Sequence, residues 1–535
     1  MKYSKYFSTK TTPQSQPIPG SDQIPNSAGG YAWGVDDWKR LDRFLILGSE
    51  KGTYYISERK LTIDNARAAL RCIEEDGIRA VDRIVELSNS GRAPKNDPAL
   101  FALAMATGAK NEGTRKAALT ALPRVARTGT HLFHFLEYAK AFRGWGRGMR
   151  NAIGAWYNEQ ELNKVTYQVV KYRQRDGWTH RDALRLAHPK PTSVGHNALY
   201  QWVCQGDIPG PEYEELALVG AFEAAQVTTE EKRIIQLIQD HNLTREMIPT
   251  NFLSKPKVWK ALLEEMPLWA MIRNLGNMSK VGLLVGGNWD TIDRVTSRLT
   301  DEPRVRNSRV HPISILAALN TYSRGKGFRG SGTWEVVPQV VDALDAAFYL
   351  SFGNVQPTNL SVVLALDVSA SMDWGCIAGC GGITPRVGSA AMALVTANVE
   401  PRHSFVGFSH ELVGLKISPR QRLDDVCVYL DRIPMGGTDC ALPILEATRR
   451  GVRVDLFVVY TDSETWAGNV HPKQALDEYR RKVNPHARSV VVGMVSNGFS
   501  IADPNDRGML DVVGFDTATP NLISEFGLGF SGIRV

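Results

Sequence analysis

Long apolar runs are missing from this 535-residue chain: nowhere do about 18 consecutive apolar residues occur, so no transmembrane helix and no membrane partner are expected. Cysteine is scarce as well. The six that occur, Cys72, Cys204, Cys376, Cys380, Cys427 and Cys440, are scattered, and no second Cys or His pair stands at zinc spacing beside "CIAGC" (376–380). That disfavours a disulfide framework and a zinc site, and small buried thiols are expected instead. The opening stretch "MKYSKYFSTKTTPQSQPIPG" lacks the apolar core of a secretory signal. A reducing, cytoplasmic location is the expectation.

What is present is ordinary for a soluble globular protein, with 43% hydrophobic and 22% charged residues, and the length calls for two or more domains. The net charge of +7 is unevenly spread. Residues 1–360 hold 47 Lys and Arg against 37 Asp and Glu, whereas 361–535 hold 16 against 19. The segment from Lys140 to Lys190 alone has 11 basic and 4 acidic residues, a footprint suited to a polyanion.

The pattern changes where the charge does. After a Pro-, Ser- and Gln-rich leader over residues 1–30, expected to be extended and mobile, segments at helical spacing follow one another. Leu132, Phe135, Leu136 and Ala139 form one stripe, and Ile234, Ile235, Leu237 and Ile238 another. This resembles an α-helical repeat, a HEAT-like solenoid of paired helices, over residues 1–360, although no strict period marks it. From 361 to 535, "SVVLALD", "SFVGFS", "LFVVYT" and "SVVVGMV" alternate with helical stretches, which predicts a doubly wound, mostly parallel α/β domain. The boundary is expected in or near "SFGNVQPTN" (351–359).

The strand "LALD" ends on Asp367, followed by Ser369 and Ser371; "LFVVYT" ends beside Asp462; between them "MGGTDC" presents Thr438 after paired glycines. In an open α/β sheet such strand ends converge. Two carboxylates and three hydroxyls are hard oxygen donors that suit Mg²⁺ or another hard divalent cation. The alternative is that the serines cap the next helix and Asp367 satisfies backbone donors. The D-x-S-x-S pattern with the later Thr and Asp resembles the metal-ion-dependent adhesion site of von Willebrand factor A domains, which implies an open coordination position for an acidic residue of a partner.

In the basic segment, "KAFRGWGRGMRNAIGAWY" spaces Lys140, Arg143, Arg147 and Arg150 by three to four residues, which predicts one helix face near Trp145. "KYRQRDGWTHRDALRLAH" adds Lys171, Arg173, Arg175, His180, Arg181, Arg185 and His188 around a Gly-broken turn. Such a cluster suits phosphates and splayed RNA bases. The bland reading is a solvated helix face, with ion pairs to Glu137, Glu159 or Asp182 and core or capping histidines. The Gly-rich stretch with Arg324, Lys326 and Arg329 is open between a polyanion-contacting loop and an ordinary connection.

The stretches "DRFLILGSEKGTYY" (42–55), "KYRQRDGWTHRDALRLAHPKP" (171–191), "MPLWAMIRNLGNM" (266–278) and "HPISILAALNTYSRGKG" (311–327), followed by "LALDVSASM" and "GGTDCALP", resemble the Ro autoantigen family in its bacterial Ro-sixty-related form. Its members join a TROVE helical-repeat module to an A domain. The resemblance implies a ring of helical repeats closed by the A domain. It implies a noncatalytic ribonucleoprotein component that binds small noncoding Y RNA on its outer surface, and single-stranded 3′ ends of misfolded RNAs in a central hole, for RNA quality control. An exoribonuclease tethered through the Y RNA is an implied partner. Y RNA contact carries over from the family to Lys171, Arg175 and His188; the other basic positions rest on charge. A metal-dependent nuclease using Asp367 and Asp462, or an adhesion module with an incidental basic patch, are the rival classes, and the first wants a denser carboxylate cluster.

Overall fold

The computed structural model describes residues 11–49, 53–327, 332–352, 355, 357–377, 380–516 and 518–529. Helices follow one another from Asp37 to Leu350, and the strands of the large sheet begin at Val362. The stripe of Leu132, Phe135, Leu136 and Ala139 is buried on the helix Gly129–Ala139, which Thr128 opens by accepting from the His131 N–H. Ile234, Leu237 and Ile238 are likewise buried on the helix Glu231–His241.

Helices pack on near neighbours: Gly77–Ser90 on Glu112–Val125, that one on Arg147–Asn158, and that in turn on His180–Ala187. The succession curves until its two ends meet. His311, just before the helix Pro312–Ser323, donates from Nε2 to the Arg92 carbonyl at 3.0 Å, just past the helix Gly77–Ser90, while its Nδ1 accepts from the Ile313 N–H. Arg92 then reaches across to the second body, pairing with Asp516 at 3.2 Å and donating to the Val513 carbonyl at 3.0 Å. One cluster therefore closes the helical ring and seals it to the α/β domain.

That domain is a six-stranded sheet in the order Met509–Val513, Arg488–Gly493, Leu456–Thr461, Val362–Asp367, His403–Phe408, Leu412–Gly414, parallel except for the last strand. All six residues of Val362–Asp367 and of Leu456–Thr461 are buried, as expected of central strands covered on both faces. The chain leaves Val362–Asp367 towards one edge and returns to its other side with Leu456–Thr461. The gap between these two strands is thus the topological switch point, where a doubly wound sheet opens a crevice.

Both flanks of the helical array dock on this domain. Arg43, 1% exposed, pairs with Asp511 at 2.6 Å and donates to the carbonyls of Asn497 and Phe499. At the other flank Asn320 donates to the Gly382 carbonyl and Arg422 pairs with Asp342.

The mobile leader expected over residues 1–30 is corrected from residue 11 onward; residues 1–10 lie outside the described residues. Gln14 is fully buried, donating to Asp439 and to the Val470 carbonyl at 2.7 Å each. Asn26 donates to the Thr465 carbonyl, and the Ala28 N–H to Glu464. Strands Gln23–Pro25, Tyr31–Gly34 and Phe499–Ser500 form a small antiparallel sheet. Polar side chains that read as disordered composition are here partners for the backbone of the 464–471 loop. Gly30 is required by the fit, since a Cβ there would stand 1.9 Å from the Thr465 carbonyl oxygen.

Candidate metal centre and nucleic-acid interface

Of the five oxygen-bearing residues singled out from sequence, Asp367, Ser369, Ser371 and Asp462 come together at the switch point, and the loop carrying Thr438 is held against the segment that follows Asp462. Asp367, Ser369, Ser371, Thr438 and Asp462 are all at most 4% exposed. Asp367 accepts from the Ser369 N–H at 2.9 Å and from the Thr461 hydroxyl at 2.7 Å, and the Ser369 and Ser371 hydroxyl oxygens lie 3.0 Å apart. Arg386, 1% exposed, holds this loop from behind: it pairs with Asp373 at 2.5 Å and donates to the carbonyls of Val368, Ser369 and Leu430. The Thr438 loop is drawn in through its carbonyl, which accepts from the N–H groups of Trp466 and Ala467 at 3.0 Å.

Two observations suit a cation. Thr438 Oγ1 is buried with no hydrogen-bond partner among the described residues, an expensive arrangement unless something electropositive faces it. Both buried carboxyls are also held above the usual carboxylate range, chiefly by burial. Burial lifts the Asp462 carboxyl to about 7, the charge of Asp367 adds to that rise, and hydrogen bonds from the Glu464 N–H and the Ser371 hydroxyl oppose it. A divalent ion among these oxygens would relieve both costs. The capping alternative for the serines is weakened, because neither makes a side-chain cap on the short 3₁₀ turn Ala370–Asp373. Among the described residues no cluster of three or more His, Cys, Asp or Glu side chains has the form of a metal site, so hydroxyls make up most of this donor set.

The sequence reading missed the surroundings of this site. Glu464 is fully buried beside it, lifted to about 8 by burial and then by the charge of Asp462. Tyr55, from the helical part, is close enough to feel Asp462, Glu464 and Asp367. Only the spacing of Glu464 two residues after Asp462 was a usable signal.

The basic region is rearranged relative to expectation. Lys140, Arg143, Arg147 and Arg150 do not share one helix. Lys140 follows the helix Gly129–Ala139, and Arg147 opens the helix Arg147–Asn158; Gly144 and Gly146 break the chain between them. Lys140 pairs with Glu137 at 2.6 Å and lies over the Trp178 ring, and Arg143 donates to the Thr107 carbonyl at 3.1 Å. Arg147 and Arg150 are exposed.

His180 is corrected from RNA contact to core. It is 3% exposed, its Nδ1 meets the Tyr157 hydroxyl at 2.7 Å, its ring stacks on Trp156, and burial pulls its pKa down to about 3. As N1 of the helix His180–Ala187, its side chain turns inward while Arg181 and Arg185 stay exposed. Lys171 is half-buried, donating to the Tyr167 hydroxyl at 2.9 Å. Arg175 stands exposed on a two-strand turn with Asp176 3.6 Å away, and His188 is exposed in the left-handed conformation that ends its helix. Arg173 lies over the rings of Trp202 and Phe222. Arg173, Arg175, Arg181, Arg185 and His188 thus gather around the turn 172–180 and the helix that follows it. Arg324 and Lys326 are described, whereas Arg329 lies outside the described residues.

A closed array of paired helices sealed by a doubly wound domain, with a D-x-S-x-S loop at its switch point, defines the class that couples a TROVE module to a von Willebrand A domain. Within that class the chain belongs to the Ro60 family. The TROVE domain model matches residues 24–233 and 214–323, and the Ro60 vWA domain model matches 361–527. The RNA-binding protein RO60 of Deinococcus radiodurans is 43% identical over 509 residues, covering 95% of this chain and 96% of its own. The RNA-binding protein RO60 of Caenorhabditis elegans is 34% identical over 598 residues, 97% and 92% of the two chains. The crystal structure of the Deinococcus radiodurans RO (RSR) protein matches with a TM-score of 0.72 at 42% identity, covering 93% of this chain and all of that one. The expected architecture, a helical-repeat ring with a von Willebrand A domain, is the one observed.

Proposed function

We propose that this chain is a noncatalytic RNA-binding component of a ribonucleoprotein. Its outer basic face takes a small noncoding Y-type RNA, and the hole of its ring takes single-stranded 3′ ends of misfolded RNAs, in RNA quality control. The observation that carries the reading is the set of cations around 172–188. Arg181 and Arg185 have no carboxylate within salt-bridge distance among the described residues, and Arg175 has only Asp176 at 3.6 Å. Cations left without carboxylates on a rigid turn are positioned for phosphates rather than for the protein's own stability. The names of both relatives, RNA-binding proteins, support the same reading.

In the α/β domain, Asp367, Ser369, Ser371, Thr438 and Asp462 would hold Mg²⁺, which when bound supplies an open position for an acidic group of a protein partner. With only two carboxylates and a donor set rich in hydroxyls, the site favours binding over hydrolysis. An exoribonuclease tethered through the Y RNA and a cytoplasmic location complete the proposal. No described helix is long and apolar enough to cross a membrane. Incubating the full chain with a labelled hairpin RNA and Mg²⁺ tests it: retention of intact RNA is expected, and cleavage that Asp367→Ala abolishes would favour the nuclease instead.

A further inference from the structure

Glu464 is 0% exposed, and among the described residues no Lys, Arg or His side chain pairs with it. A buried carboxylate with no cation beside it is costly, and one half of this carboxylate also lacks a hydrogen bond. Its Oε2 accepts from the Ala28 N–H at 3.0 Å, whereas Oε1 has no partner among the described residues. Thr438 Oγ1 is left in the same condition. The segment that carries Glu464 connects the two. The Glu464 N–H donates to Asp462 Oδ1 at 3.0 Å, while the Thr465 hydroxyl and the N–H groups of Trp466 and Ala467 all donate to the Thr438 carbonyl. Two orphaned buried oxygens are thus tied to one short segment that begins at Asp462.

The same segment receives the chain's N-terminal strap. Gln14 accepts from the Thr465 hydroxyl and donates to Asp439. Asn26 donates to the Thr465 carbonyl at 2.7 Å, and its own Oδ1 accepts from the N–H groups of Ala28 at 3.1 Å and Gly30 at 2.8 Å. Asn26 thereby sets the N–H that holds Glu464.

We propose that Glu464 is a further member of the metal centre, an outer carboxylate that ties cation binding to the docking of residues 11–34, an inference that rests on the metal reading above. Asp367, Asp462 and Glu464 do not form a direct three-carboxylate ligand set, which gives Glu464 the outer place and leaves the open coordination position to a partner's acidic group. An outer carboxylate orients the inner donors and adds negative charge against which a divalent ion is held. The strap fixes one oxygen of Glu464, and the cation relieves the other. Whatever the docked strap adds to the affinity for the cation, the bound cation then adds to the docking of the strap.

The full chain, stripped of metal with EDTA, tests this by calorimetric titration with MgCl₂ and by hydrogen exchange of the amides of residues 11–34 with and without saturating Mg²⁺. Glu464→Gln keeps the size and an acceptor for the Ala28 N–H but removes the charge, and is expected to weaken Mg²⁺ binding about tenfold, the lower end of what losing an outer partner costs. Asn26→Ala, which loosens the strap and touches none of the five donors, should weaken it in the same direction. In the parent protein, which needs no variant to fold, saturating Mg²⁺ should slow exchange of the Ala28 amide about tenfold by reciprocity, and in Glu464→Gln it should leave that rate unchanged. Equal Mg²⁺ affinity in the parent and Glu464→Gln, or strap exchange in the parent that ignores bound Mg²⁺, would overturn the assignment. Loss of strap protection in Glu464→Gln at full Mg²⁺ affinity would make Glu464 an anchor for the strap alone and overturn it too. A parent protein that takes up no Mg²⁺ would overturn the metal reading itself, and this assignment with it.

Discussion

Replacing Arg181 and Arg185 together by Ala should change the salt dependence of RNA binding more than its affinity at low salt. Five arginines, Arg147, Arg150, Arg175, Arg181 and Arg185, are exposed, and among the described residues the one carboxylate within 4 Å of any of them is Asp176, 3.6 Å from Arg175. If each neutralises one phosphate, the slope of log K against log salt is about −4.5, and raising salt from about 50 to 200 mM weakens binding about 500-fold. Removing two contacts brings the slope to about −2.7 and the loss to about 40-fold over the same interval. Lys171→Ala should behave differently. Its ammonium is half-buried on Tyr167 and Tyr172, so its loss should alter affinity while leaving the slope within about 0.5 of the parent. Titrating a folded hairpin RNA at four salt concentrations reads both quantities. An unchanged slope in the double arginine variant would refute the phosphate-contact reasoning.

Further outcomes concern the rest of the molecule. Thr438→Ala and Asp367→Asn should each lose bound Mg²⁺, measured as metal content after dialysis, while hairpin affinity stays within about twofold, because the basic face belongs to the helical part. Arg386→Ala should destabilise the α/β domain by about 3–5 kcal/mol in urea unfolding, since it strands Asp373 and three buried carbonyls; a shift below about 1 kcal/mol would contradict this. His131, His180 and His311 are held neutral, with pKa values pulled by burial to about 4, about 3 and about 4. Below the unfolded value of about 6.5 the unfolded chain binds more protons, so stability is fully present above that pH and falls by about 1.4 kcal/mol per histidine for each unit below it. A melting temperature equal at pH 7 and pH 5 would contradict the burial of these three.

The placing of Asp367, Ser369, Ser371, Thr438 and Asp462 in the loops at the sheet's switch point was legible because each sits at a strand end or in a glycine loop, positions fixed by the alternation of strand and helix. The two central strands and their terminal Asp367 and Asp462 needed no tertiary information. The basic segment was legible in composition but not in geometry. Charge spacing alone put Lys140 to Arg150 on one helix, whereas Gly144 and Gly146 end one helix before the next begins at Arg147. His180 looked like its cationic neighbours until packing on Trp156 and Tyr157 placed it in the core. Gln14 and Asn26 read as leader composition because their partners, Asp439, Val470 and Thr465, lie more than 420 residues away in sequence. Arg173 depended on Trp202 and Phe222, on helices further along the chain.

The central claim is that one chain sorts RNAs by shape, an outer face for folded stems and a ring interior for free ends. It is tested most directly by competition binding with one hairpin made in two forms, with and without a single-stranded 3′ tail, each measured with and without a Y-type RNA. An A-form stem is too wide to thread where a single strand passes, so the tailed form should bind tighter, and the Y-type RNA should displace both forms by occupying Arg175, Arg181 and Arg185. Equal affinity for tailed and blunt hairpins, or simultaneous binding of hairpin and Y-type RNA without competition, would contradict it.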